Sequence, residues 1–425
     1  DIYVGINTLI ILLEIHRISY QKYSIEKQVN FHPCKINASD LRRSSEIDRV
    51  NWLRVAGYCS SIDIDESNQN PLRIFIKNLN NCLDNINLSN AILEGVDFSY
   101  VSLKYADLKG INLNRANLQK ANLSNADLSN LNDCHSSLYL ANLRESVISN
   151  TDFSYADLSF ADLRNLDLAT AKSFKHCKFL SAKLSGANLR GADLKNSVLS
   201  GLDLSNFNLD GTDLSGADLS GTNLNGVNFK EVRSVKKAIF VNADIRDAQF
   251  KEADLNGCDF SRMNLCAFDL SKADLSDTIL IETNLAGIDF RKVMSISGAN
   301  FHGANLEGAN LQGVNTTGDS EEDFNDPIFS RTCLCYGNVS AELIGILFDG
   351  ANLESANLSH SELRESDFSN ANLSHAIIND ADLSGAEFAN ANLSDSDLSR
   401  SDLRDANFEN ADLSGANLHQ IKFNK

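Results

Sequence analysis

The residues able to do chemistry in this chain are few and dispersed. Eight His stand at 16, 32, 135, 176, 302, 360, 375 and 419, and no two share a spacing suited to joint ligation. Nine Cys stand at 34, 59, 82, 134, 177, 258, 266, 333 and 335. Only Cys333-Leu334-Cys335 is a close pair, and a zinc site would want CxxC with a second ligand pair. An odd set of Cys without framework spacing argues against a disulfide-stapled secreted domain and for a reducing, cytoplasmic setting. Ser lies beside Asp so often that the pairing marks no triad. There is no phosphate loop of the GxxxxGKS/T type and no GxGxxG opening a helix. Gly recurs within GAN and GAD at a fixed period, which is the chemistry of corners, not of phosphates. The expectation is a chain that is not an enzyme and takes no cofactor and no metal.

The elements that carry these residues repeat every five positions. From Phe348 to Phe423 every fifth residue is Leu, Phe or Ile. In most units a small residue stands two positions before this centre and Asn or Asp one before it, as in Ala351-Asn352-Leu353-Glu354-Ser355. The same period runs from Leu83, with a break at Asp133. One-residue slips fall at Lys172-Ser173, within Lys230–Ile239 and within Arg291–Asn300.

A five-residue period is not one face of an α-helix, because at about 100° per residue successive Leu would wander round the axis. In an extended segment, positions two apart share a face. The centre and the small residue two before it therefore point into one interior, and the Asn or Asp between them points out. The last two residues must turn the chain. The second of them is often Gly or Asn, as at Gly186, Gly191, Gly211, Asn125 and Asn196, types that tolerate positive φ. Each pentapeptide reads as a short strand and a corner. Bulky residues at the small inward position, Leu202 and Phe207, Met263 and Phe268, predict local widening or repacking of the core.

These A(D/N)LXX units resemble the pentapeptide repeat family. The resemblance covers roughly residues 83–316 and 348–423. It implies an all-β repeat solenoid, a right-handed quadrilateral β-helix with four pentapeptides per coil. The chain then divides into a small mixed or helical N-terminal cap region (1–82), a first β-helix (83–316), an insertion loop (317–347) and acidic C-terminal coils (348–425). Within the cap region, a helix is expected from Ser44 or Ser45 through Gly57. Within the insertion, Ser340 to Ile346 reads as a helical turn. Residues 2–15 are apolar but too short to span a bilayer. They read as a packed helix or as a remnant that offers membrane contact through residues 2–18.

Net charge is −19, which argues against direct nucleic-acid binding. The charge is uneven. Residues 83–316 hold 28 acidic and 22 basic residues, whereas 348–425 hold 14 acidic and five basic. At a strand spacing of about 4.8 Å the last coils carry about one net charge per 2 Å, close to the density of duplex DNA. At twenty residues per coil Glu362, Asp382 and Asp402 stack on one face, with Glu365 and Asp405 at its edge.

The leading functional reading is a non-enzymatic scaffold that binds a protein partner, with these five carboxylates as the candidate contact. The second follows from the resemblance, some members of which imitate DNA: an inhibitor or protector of a type II topoisomerase such as DNA gyrase. A third is a membrane-tethered or host-directed repeat protein. An uncapped last coil after Phe423 further suggests a homodimer through an open edge.

Overall fold

The computed structural model describes residues 84, 88–89, 98–131, 135–314, 327–335, 337–339, 341 and 343–424. The N-terminal cap region, its expected helix at 44–57, the apolar run 2–18 and the break at Asp133 lie outside the described residues. The chain divides into two compact units, Asp1–Val198 and Leu199–Lys425.

In each unit the pentapeptides stack into four-sided coils joined by parallel bridges. In the first, Ser102 pairs with Asn122, Asn122 with Asn142 and Asn142 with Asp162. In the second, Leu347 pairs with Asp367, Asp367 with Glu387 and Glu387 with Asn407. The backbone bonds alternate: Leu103 N–H donates to Asn122 O at 2.8 Å, and Asn122 N–H donates back to Val101 O at 2.9 Å. Most described corners are tight turns closed by a bond such as Ala106 N–H to Leu103 O at 3.2 Å, whereas the Ala381 N–H donates to Ser401 Oγ at 3.1 Å. At most described corners the residue second after the centre is left-handed, and this holds for Tyr105, Lys120, Glu145 and Arg400 as well as for Gly and Asn; Asn206 and Ala267, just before the bulky Phe207 and Phe268, are exceptions. The backbone hydrogen bonds of both coil neighbours outweigh the 1–2 kcal/mol that a left-handed non-Gly residue costs.

The choice of Asn or Asp before the centre has a local cause. Its side-chain oxygen accepts the N–H two residues on, as Asn372 Oδ1 does from Ser374 at 3.2 Å and Asp367 Oδ1 from Ser369 at 2.9 Å. Where Asn follows Asn down a column, the amides chain together: Asn392 Nδ2 donates to Asn372 Oδ1 at 3.0 Å and Asn372 Nδ2 to Asn352 Oδ1 at 3.1 Å. Each such residue therefore holds its corner before it offers anything to a partner.

Inside, the centres form columns. Phe301, Phe329, Phe348, Phe368, Phe388 and Phe408 stack with ring centroids 4.8 to 5.4 Å apart. Most inward Thr and Ser pair with backbone carbonyls, as Thr151 Oγ1 does with Leu128 O at 2.6 Å, whereas the buried Ser136 hydroxyl has no partner. The bulky inward residues coincide with a local interruption of the ladder. Leu202 and Met263 are buried, but Phe207 and Phe268 are only half-buried. The outward residues beside them, Asn208 and Asp269, take part in no bridge among the described residues.

The three expected slips are where the coil step lengthens by one. Asp152 pairs with Ser173, Asp213 with Ser234 and Asp274 with Ser295. Two of them are absorbed by single 3₁₀ turns, Leu168–Thr170 and Phe290–Lys292. The insertion is smaller than the sequence suggests. Asn300 pairs with Ile328 and Ile328 with Leu347, so residues 327–347 form a coil of their own. Among the described residues of 340–346 there is no helical turn: Ala341 is a bend and 343–346 an ordinary corner. The period hid this coil because Val339 and Leu343 are four residues apart, not five. The extra length falls between Val314 and Pro327.

Candidate partner-binding face

The predicted column assembles as spaced. Glu362 pairs with Asp382, Asp382 with Asp402, and Asp402 with Lys422. Cations share that column. Arg364 reaches Glu362 at 3.1 Å and Asp382 at 4.0 Å. Arg404 grips Asp402 through Nε at 2.8 Å and Nη2 at 2.7 Å, and Lys422 adds a contact at 3.5 Å. The Arg404 hydrogen bonds beside it, against a small burial penalty, bring the Asp402 carboxyl down to about 2. With only 6% of the residue exposed, Asp402 is a structural anion. Three carboxylates meet three cations here, and the column is close to neutral.

Glu365 and Asp405 have a different setting. They occupy left-handed corner positions, φ 60° and 61°, with Gly385 between them. Gly385 has reason to be small: a Cβ there would come 3.4 Å from Glu365 Cγ. Both carboxylates are exposed and border the next face, the one lying over the Phe column. That face carries Asp349, Asp367, Glu387 and Glu409. No Lys, Arg or His stands in 346–350, 366–370, 386–390 or 406–410, although Arg331 of the preceding coil lies beside Asp349, its N–H donating to Asp349 O at 2.8 Å. Its carboxylates meet neutral donors instead: Asn370 Nδ2 to Asp349 at 2.9 Å and Asn407 Nδ2 to Glu387 at 2.7 Å. The following face adds Glu354, Asp395 and Asp412, again without Lys or Arg in its pentapeptides. The uncompensated charge thus lies one face round from the expected column, with Glu365 and Asp405 as its rim. Sequence inspection had the signal, since cations can be counted column by column at twenty-residue spacing.

The first unit presents a surface of another kind. His135, Tyr155 and His176 stack face to face at one corner, with centroids 4.7 and 4.5 Å apart. Across the adjoining face, Phe160 packs edge-on to Tyr139 at 5.5 Å. Leu140, Tyr155, Phe160 and Leu180 are all exposed there. The sequence signal was again a coil-period column of corner residues, obscured by the one-residue slip between Tyr155 and His176.

Among the described residues, no group of three or more His, Cys, Asp or Glu could hold a metal ion. No described helix is long and apolar enough to cross a membrane.

The chain matches the family model described as pentapeptide repeats (8 copies) over residues 82–132, 136–231, 235–293, 295–315 and 346–420. No curated protein matches it significantly. Among solved structures it is similar to HetL, a pentapeptide repeat protein involved in heterocyst differentiation regulation from the cyanobacterium Nostoc sp. strain PCC 7120. Identity there is 21%, with 80% of this chain and 87% of that chain covered and a TM-score of 0.22. It is similar to a trypsin-treated variant of QnrB1, a plasmid-mediated fluoroquinolone resistance protein, at 20% identity, 51% and 88% coverage and a TM-score of 0.27. A third likeness is Rfr23 from the cyanobacterium Cyanothece 51142, at 26% identity, 31% and 88% coverage and a TM-score of 0.19. The family match and the coil geometry, a right-handed quadrilateral β-helix, agree: this chain belongs to the pentapeptide repeat family.

Proposed function

We propose that this chain is a non-enzymatic scaffold for protein interaction, and that a partner with a basic surface docks on the acidic face over the Phe column. The observation that carries this reading is the absence of any Lys, Arg or His in the pentapeptides that hold Asp349, Asp367, Glu387 and Glu409. Side chains on stacked coils are already ordered, so a partner meets a row of carboxylates with little further loss of chain entropy. Opposite charge on the partner would steer encounter and set register. A labelled oligolysine peptide tests the electrostatic part. Its binding should be tight at low ionic strength and weaken steeply with added salt. Affinity insensitive to salt would sink the reading.

A second reading, imitation of duplex DNA towards a type II topoisomerase, draws on the coil-by-coil spacing of Asp367, Glu387 and Glu409. It predicts salt-dependent inhibition of gyrase supercoiling that Asp367→Lys/Glu387→Lys abolishes. The Asp382→Lys/Asp402→Lys pair changes net charge equally but on the column already neutralised by Arg364, Arg404 and Lys422, away from the proposed contact, and should spare more of the inhibition. Supercoiling unaffected by the intact protein at any salt concentration eliminates this second reading and leaves the scaffold reading standing.

A further inference from the structure

The structure assigns a redox-modifiable dithiol to Cys333 and Cys335, a pair that small disulfides of the glutathione type would oxidise to a disulfide within one pentapeptide. Their sulfurs stand 2.9 Å apart. That closeness is built by the coil, because the residue after the centre always folds back over the residue before it. The same geometry brings Ser154 Oγ to Asp152 Oδ1 at 2.6 Å and Ser215 Oγ to Asp213 Oδ1 at 2.7 Å. In this one coil the two positions hold Cys instead of an Asx and a Ser.

The other described Cys are placed differently. Cys177 and Cys258 are fully buried at the small inward position, and their thiols donate to Phe153 O at 2.7 Å and Val235 O at 3.1 Å. They do there what inward Thr does elsewhere. Cys266 is exposed and has no second thiol within its pentapeptide. Among the described residues, only 333 and 335 hold one partly accessible thiol against a buried one.

That asymmetry sets the order of events. The Cys333 thiolate attacks one sulfur of oxidised glutathione, the glutathione S–S bond breaks, and one glutathione leaves as thiolate. Cys335, deprotonated, then attacks the Cys333 sulfur and expels the second glutathione. Two electrons pass from the protein to the glutathione pair, and the two thiol protons end on the two glutathiones released. Burial and the neighbouring sulfur push the Cys335 thiol up to about 12, and Glu354 in the next coil adds to that rise. Ring closure is therefore the slow step.

The test uses the full chain, folded, in a Cys266→Ser background. It is equilibrated across ratios of oxidised to reduced glutathione, alkylated, and read by intact mass and peptide mapping. The expected result is loss of two hydrogens, with two alkylation sites lost and both mapped to 333 and 335. Cys335→Ser should stop at a stable glutathione adduct on Cys333. Cys333→Ser should leave residue 335 alkylatable only after unfolding. Peptide mapping of the unsubstituted pair stands even if a variant folds poorly. Persistence of a mixed disulfide at Cys333 in that protein, or both thiols remaining free at every ratio, overturns the assignment.

Discussion

Replacing Phe368 by Ala should open the second unit locally and leave its distant coils closed. Phe368 is wholly buried, stacked 4.9 Å from Phe348 and 5.1 Å from Phe388 with the rings within 5° of parallel. Truncating a buried Phe costs 3–5 kcal/mol, a range that includes the lost transfer energy and the cavity left behind. The coil cannot collapse to fill that cavity, because backbone ladders above and below fix its dimensions: Phe348 N–H to Asp367 O at 2.7 Å and Phe368 N–H to Glu387 O at 2.7 Å. A cost of about 4 kcal/mol is therefore reasonable, or nearly a thousandfold in a local opening equilibrium at 1.4 kcal/mol per factor of ten. Because each coil contacts only its neighbours, the loss should not spread evenly. Native-state hydrogen exchange reads both quantities. Amides at Phe348, Phe368 and Phe388 should exchange roughly a thousandfold faster, while those at Leu219 and Leu255 stay near wild type. Phe368→Leu, which installs the commonest centre residue, should cost no more than about 1.5 kcal/mol. Acceleration under tenfold at Phe368, or equal acceleration at Leu219, would refute the column as the source of local stability.

Asn372→Ala removes an acceptor for Ser374 N–H, an acceptor for Asn392 and a donor to Asn352. It should destabilise that coil by about 2 kcal/mol, and Asn372→Asp, which keeps the corner bond, by less; local exchange at Ser374 measures it. Acid should weaken the second unit in a defined window. The carboxyls of Asp289, gripped by Arg291, and Asp402, gripped by Arg404, are both brought down to about 2 from an ordinary 3.8. Lowered folded values mean that the stabilisation is complete above the unfolded value and is lost as pH falls from about 4 through 2. Melting followed across that window should show a shallower decline in Asp289→Asn/Asp402→Asn than in wild type. Parallel pH profiles would contradict the assignment.

The interior was written plainly into the sequence. A fixed five-residue period with alternating small and large inward positions leaves no choice of face, so centres such as Leu103 and Leu383 were legible as core. The slips were legible too, because adding one residue preserves the period and only moves its phase. The coil at 327–347 was not. Val339 to Leu343 shortens one unit, and a reading tied to fives takes a shortened unit for a loop. Corner types were legible only in part: Gly and Asn mark left-handed positions, yet Tyr105 and Arg400 adopt the same φ because the hydrogen-bonded coil imposes it. The charged face was half legible. Stacking at twenty residues placed Glu362, Asp382 and Asp402 together, but compensation depends on where Arg364, Arg404 and Lys422 reach. Twenty-residue spacing puts those cations on the same column, and only their reach, 2.7 to 4.0 Å, needs the side-chain geometry.

The most direct measurement sets two variants of equal net charge against each other. Asp367→Asn/Glu387→Gln/Glu409→Gln neutralises the face over the Phe column while keeping the Asp367 corner acceptor. Glu362→Gln/Asp382→Asn/Asp402→Asn neutralises the same number of carboxylates on the compensated column. Fluorescence anisotropy of a labelled oligolysine peptide at physiological salt compares them with wild type. Three exposed pairs at about 0.3 kcal/mol each predict roughly a fivefold weakening for the first variant, and a change within about twofold for the second. Equal losses in both, or the larger loss in the second, would contradict the claim that partner recognition belongs to the uncompensated face.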